Sequence, residues 1–407
     1  MRALNVVMLA CALMAGNASK VISPAAAADQ PRLPRGEDQL RWTVEDKIIG
    51  HRNMGVIFAS APVRAGGRVL PLPKGEPLQL TYMAGGTPRT VDDFFARTNA
   101  TGLLVIHDGR VVLERYARGY DENSSGSSRS MAKTFLGTLV GAAVRDGRIR
   151  SLDDKVGQYV SELASTMYDK VSIRELLTMT SGVPYRENPN DPTSDLFPLQ
   201  ACTVKGEPGC LLRFARDLGS RQVTPAQPGS AFNYSSADSV VEAILLERAI
   251  GKSAAQYLSE KIWIPFGMEQ DGYWNAEAPG SVVVGPSGVG ATLRDYGRFG
   301  LYLMRGGVLP DGTRTLPDDW FAQALQPTAA SMNAKRPYGF NVWLPDPDMP
   351  GPGTFFGQGS SGQVLMVDPA KRLVIVKWAA WDNGPVQRAM REEDWSLFKT
   401  IAATVRN

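Results

Sequence analysis

Apolar and polar residues follow two rhythms along the chain. In "TGLLVIHDGRVVLERYARG" (101–119) the strand-like runs LLVIH and VVLERY flank Asp108-Gly109. Both turn residues tolerate positive φ, so this pattern predicts a β-hairpin. In "SMAKTFLGTLVGAAVRDG" (130–147) apolar residues fall at 131, 135, 139, 142 and 143. That is helical spacing, and Gly147 ends it. "VSIRELLTMTSGVPY" (171–185) predicts a short helix ending in a Ser-Gly turn. "SADSVVEAILLERAIG" (236–251) predicts a helix stopped by Gly251. Ser253 caps the next helix, which Pro265 ends. "ATLRDYGRFGLYLMRGG" (291–307) predicts a further helix. The last 50 residues are expected to return to strands, GQVLMVDP and RLVIVKWAAW, joined by a Pro-Ala-Lys turn. Residues 29–94 are rich in Pro and Gly and weakly periodic, which predicts an extended N-terminal segment. The order strands, helices, strands implies an α+β fold over 95–407. An antiparallel sheet built from both ends of the chain is flanked by helices, with a helical region inserted at about 150–270.

Composition narrows this picture. With 43% hydrophobic residues the chain can bury a large core, which excludes global disorder. The formal net charge of +3 falls to +1 without residues 1–28, which hold Arg2, Lys20 and no acid. No basic run is long enough to form a tail, so nucleic acid is not an expected partner. Residues 1–28 read as an export signal: Arg2, the apolar stretch "ALNVVMLACALMAG", then small residues up to Ala28. A lipoprotein alternative rests on Cys11 after "MLA". The apolar stretch is too short for a stable membrane anchor, so a periplasmic or secreted protein is expected. The other two cysteines, Cys202 and Cys210, span a Gly/Pro turn in "ACTVKGEPGC". In an oxidising compartment they read as a local disulfide.

The chemistry must come from few residue types. His51 and His107 are the only histidines, and both read as loop or hairpin residues. No G-x-S-x-G elbow is present, and so few His and Cys disfavour a zinc site. No metal or cofactor is expected. A serine then needs another base. Ser130 and Lys133 stand at i and i+3 at the start of an apolar helix, on one helix face. The helix N-terminus favours negative charge developing on the serine. Burial would free the lysine amine to accept a proton. By itself the pair also reads as a helix cap and a solvated charge. "FNYSSADS" brings Tyr234, a possible acid for a leaving group, and Ser236, a possible partner for Lys133 or the substrate. "FFGQGSSGQ" is a Gly/Ser-rich turn opening a strand, where backbone N–H groups can approach a carbonyl oxygen.

Together, Ser130-x-x-Lys133, Tyr234-x-Ser236 and the glycine-rich strand near Gln358 resemble the serine β-lactamase and penicillin-binding-protein superfamily. The resemblance is greatest to its class C-like branch, with the family VIII carboxylesterases, D-aminopeptidases and 6-aminohexanoate-dimer (nylon-oligomer) hydrolases. It covers roughly residues 95–405. It implies a β-lactamase/transpeptidase-like fold and acyl transfer to Ser130, with Lys133 as base and Tyr234 as acid/base. The N–H of Ser130 would form half of an oxyanion hole, and Ser360 or Ser361 the other half. Two departures shape the substrate. Ser236 replaces the usual Asn, as in the nylon-oligomer hydrolases. Gln358 stands near the usual Lys, removing a cation for a β-lactam or peptide carboxylate. "SGVPYRENPNDPTSD" resembles a loop flanking the nylon-oligomer hydrolase pocket, with Tyr185 placed to close over substrate. The expected substrates are small esters, amides or short peptides. D-peptidase, weak β-lactamase or silent cell-wall peptide-binding activity are the alternatives.

Overall fold

The computed structural model describes residues 32–345, 353–384 and 386–405; the expected export signal lies outside them. The main sheet has five antiparallel strands in the order Arg110–Tyr116, Ala100–His107, Leu373–Ala379, Gln363–Asp368, Phe355–Gly359. It is built from both ends of the chain. The hairpin turns at Asp108 (φ +53°) and Gly109 (φ +73°), and the register places His107 opposite Arg110.

Residues Leu103 to Ile106 are fully buried, with no polar alternation. The reason is that both sheet faces are covered. Leu104 and Ile106 point into the larger core with Val374, Val376 and the helix Leu293–Met304. Leu103 and Val105 point into a smaller core with Phe94, Phe95, Leu397, Phe398 and Ile401. The helical region lies between the two halves of the sheet in sequence. The helix Ala132–Arg145 packs against the helix Ser236–Ile250, and Phe135 stacks on Phe299 at 3.7 Å between ring centroids.

Two expectations are corrected. The final residues do not stay in strands: Val386–Thr404 is a helix of 19 residues. It buries Asp394, Leu397, Phe398, Ile401 and Ala402, spaced three and four apart, which is a helical face. Residues 33–94 are not simply extended either. They carry the helices Val44–Arg52 and Val91–Thr98, each opened by a capping box, Thr43 with Asp46 and Thr90 with Asp93. The first of these buries Lys47, Gly50 and His51 rather than an apolar stripe, so it leaves no hydrophobic periodicity. A four-stranded sheet, Ser60–Val63, Gly272–Asn275, Val289–Thr292 and Ser125–Ser127, completes the frame beside Ser130.

Candidate active site

The strand Ser125–Ser127 feeds a single tight turn, Arg129–Met131, which leads into the helix Ala132–Arg145. Arg129 has φ +48°, a left-handed conformation that costs a non-glycine residue on the order of 1 kcal/mol or more. The turn leaves Ser130 half-buried and facing two cavities that meet at it. Among the described residues its Oγ makes no hydrogen bond with Lys133. Lys133 is one helical turn further on and only 1% exposed. Its Nζ donates to Ser236 Oγ at 3.2 Å and to the Pro286 carbonyl at 3.5 Å. It lies 4.5 Å from the Tyr234 ring centroid, over the ring face rather than bonded to the hydroxyl. No carboxylate reaches Lys133 within 4.0 Å among the described residues. The site therefore brings Ser130, Lys133, Tyr234 and Ser236 together, around an amine with neutral partners.

Tyr234 precedes a helix whose N-cap is Ser235, and Trp343 stacks on its ring at 5.3 Å. Tyr185 does not line either cavity. The segment 181–185 alternates, so Val183 and Tyr185 turn inward and Tyr185 is 5% exposed. Burial, with Glu187 and Asp195 nearby, pushes its phenol well above the ordinary value. The residue of this loop that does reach the site is Glu187. It lines both cavities and accepts the backbone N–H of Ser236 at 3.0 Å.

The strand Phe355–Gly359 passes close to the serine turn. A Cβ on Gly359 would stand 2.3 Å from the Ser128 carbonyl oxygen, so only glycine fits there. Beyond it, Ser360 is exposed and accepts from Arg129 Nε at 3.1 Å. Ser361 is buried with φ +63°, and its carbonyl accepts from the Trp381 N–H. Both serines lie beside Ser130. Gln358 lines the second cavity and accepts from Arg391 Nη1 at 2.5 Å. Arg391 comes from the C-terminal helix, and Lys335 and Arg336 line the same cavity. Three cations from other elements thus stand around the same cavity as Gln358.

Sequence reasoning also missed the wall of the first cavity, of about 280 Å³. Lys47 and His51 come to it from the helix Val44–Arg52. His51, expected in a loop, lies in this helix and is 4% exposed; burial, with Arg129 and Lys47 nearby, holds it well below its ordinary pKa. Lys47 donates to the Trp381 carbonyl at 2.7 Å and to Asn383 Oδ1 at 2.9 Å. Burial lowers it to about 8. Burial likewise lowers Arg129 to about 10, against the opposing pull of Glu187. On the rim, the helices Leu196–Lys205 and Cys210–Gly219 are joined by the disulfide Cys202–Cys210. No helix among the described residues is long and apolar enough to cross a membrane.

Comparison with known proteins places this geometry. A profile of the beta-lactamase family matches residues 89–404. The chain is 28% identical over 376 residues to the 6-aminohexanoate-dimer hydrolase of Paenarthrobacter ureafaciens, covering 88% of this chain and 91% of that protein. A solved structure from Bacillus anthracis, provisionally assigned as a 6-aminohexanoate-dimer hydrolase, superposes with a TM-score of 0.79 at 22% identity. It covers 92% of this chain and 98% of its own. A family VIII carboxylesterase superposes with a TM-score of 0.58 at 17% identity, over 76% of this chain and 96% of its own.

Proposed function

The chain belongs to the beta-lactamase family and is a serine hydrolase, and from that premise we propose that Ser130 is the residue it acylates. The observation that carries this reading is Lys133. It is buried one turn from Ser130, hydrogen-bonded to Ser236, and has no carboxylate within ion-pair distance. Ser130 Oγ attacks the carbonyl carbon of an ester or amide while Lys133 takes its proton. The N–H of Ser130, with that of Ser360 or Ser361, receives the developing oxyanion. Tyr234 returns a proton to the leaving alcohol or amine as the tetrahedral intermediate collapses. Water then attacks the acyl-Ser130 ester by the reverse proton path and releases the acid. The open Ser130–Lys133 geometry agrees with a site that tightens on binding substrate.

The substrate class of this reading is a small ester or linear amide, the bond types that the names of the carboxylesterase and 6-aminohexanoate-dimer hydrolase relatives point to. Arg336 and Arg391 beside Gln358 also favour a second reading, short peptides with a free carboxylate on the leaving half. Export completes the proposal: residues 1–28 act as a cleaved signal, and the Cys202–Cys210 disulfide suits an oxidising compartment. The test is turnover of p-nitrophenyl acetate and butyrate, then of amide dimers. Ser130→Ala is expected to abolish turnover, at least 1,000-fold, with an unchanged melting curve. Undiminished activity in Ser130→Ala would end the proposal.

A further inference from the structure

Ser130 divides the site into two chambers of different chemistry. Tyr234 lines only the second chamber, and Ser236 only the first. If Tyr234 protonates the leaving group, the leaving half lies in the second chamber and the acyl half in the first. The first chamber has an apolar wall of Leu40, Leu196, Leu199 and Val284. Its other wall carries Lys47 and Arg129. Arg129 spends Nε on Ser360, while Nη1 is closed off from solvent and has no hydrogen-bond partner among the described residues. A buried guanidinium N–H without a partner is costly, and an anionic acceptor removes that cost. Lys47 uses two of its three donors on Trp381 and Asn383. His51 beside them is held well below its ordinary pKa by burial. The opposing charges are Glu187, which forms no ion pair with Arg129 within 4.0 Å, and the exposed Asp382 near Lys47.

We propose that the first chamber is the acyl site and that it selects acyl groups ending in a carboxylate, held by Arg129 and Lys47. This rests on the assignment of Ser130 as nucleophile. The apolar wall takes the methylene chain and the two cations take its far end. An acyl group ending in an ammonium meets the same cations and is disfavoured. The segment that supplies Lys47 and Leu40 lies outside residues 89–404, so one of the two cations here comes from a part of the chain beyond the family match. Arg129 and Lys47 are positioned to bind substrate, not to move the reacting proton.

The experiment compares three p-nitrophenyl esters of equal acyl length: the glutarate monoester, its ω-methyl ester, and 5-aminopentanoate. The wild-type protein is expected to give kcat/KM at least tenfold higher for the glutarate monoester than for the methyl ester, and lowest for the amine. Arg129→Met and Lys47→Met are each expected to reduce the glutarate-to-methyl ratio at least tenfold. Equal rates for the anionic and neutral esters in the wild type, both lost in Ser130→Ala, would overturn the acyl-site proposal and leave the hydrolase intact. Turnover unaffected by Ser130→Ala would remove the underlying reading. A binding measurement covers variants that do not fold. Free glutarate is expected to slow labelling of wild-type Ser130 by a fluorophosphonate at least fivefold, while glutaramide does not. Equal protection by the two would refute the carboxylate site.

Discussion

Three lysines are buried almost completely among the described residues, Lys47, Lys133 and Lys377, and the last two have opposite surroundings. Lys377, 0% exposed, sits in the middle of the main sheet and donates to both oxygens of Asp394, at 2.6 and 2.5 Å. That pair ties the C-terminal helix to the central strand. Lys133, 1% exposed, has a hydroxyl, a carbonyl and an aromatic face, and no ion pair. The nearest acids on the neighbouring helix do not change this. Asp238 and Glu242 are pushed up by burial to about 7 and about 8. A buried amine with its own carboxylate is held as a charged structural link. Lys133, which has no carboxylate partner, is the amine proposed above to exchange a proton with Ser130. The structural link and the proposed base thus differ in whether a carboxylate answers the amine.

The largest way to break the contrast is to remove Lys133. Lys133→Met is expected to lower kcat/KM at least 1,000-fold, and its melting temperature to stay level or rise, because an unpaired buried amine is replaced by a thioether chain. A Lys133→Met protein that unfolds while keeping its specific activity would reverse the roles given to the two lysines. Lys377→Met should do the opposite. Leaving Asp394 alone in the core costs about 3–5 kcal/mol of stability in chemical denaturation, with little change in kcat per folded molecule. The double variant Lys377→Met/Asp394→Leu sharpens the point. It is expected to recover most of that loss, since no buried charge remains. A double variant no better than the single one would mean that the ion pair itself, not the orphaned carboxylate, sets the cost.

The smallest effect concerns Glu242. Its carboxyl accepts twice from Asn341 Nδ2, at 2.9 and 2.8 Å, while Asn341 Oδ1 has no partner among the described residues. Burial raises it from an ordinary 4.5 to about 8. A carboxyl raised by folding contributes stability that is complete below its unfolded pKa and is lost as pH rises through the folded one. The melting temperature should therefore fall between pH 5 and pH 8.5. Glu242→Gln is expected to flatten that slope and to add about 1–3 kcal/mol at pH 8.5, because the new amide can donate to Asn341 Oδ1. An unchanged slope in Glu242→Gln would assign the pH dependence to Asp238 or Glu247 instead.

What could be read in the sequence was local. The hairpin at Asp108-Gly109, the helix behind Ser130 and the Cys202–Cys210 pair depend on neighbours within about twenty residues, and their signals lie within those windows. The groups that shape the chambers depend on closure of distant segments. Lys47 meets Trp381 across 334 positions, and its helix carries no apolar stripe to announce it. Arg391 reaches Gln358 only once the last helix folds back over the sheet. That helix was legible in the spacing of Leu397, Phe398, Ile401 and Ala402, and the strands before it masked the signal. Tyr185 lines neither cavity while Glu187 of the same loop lines both, a difference set by how the loop packs against the helix Ser236–Ile250 and not by the spacing of its residues.

The most direct test of the central claim is chemical. The protein and its Lys133→Met and Lys377→Met variants are treated with a fluorophosphonate, and the labelled residue is located by mass spectrometry. The account predicts one label, on Ser130, formed quickly in the wild type and in folded Lys377→Met, and at least 100-fold more slowly in Lys133→Met. A label elsewhere, or equal labelling of Ser130 with and without Lys133, would contradict it.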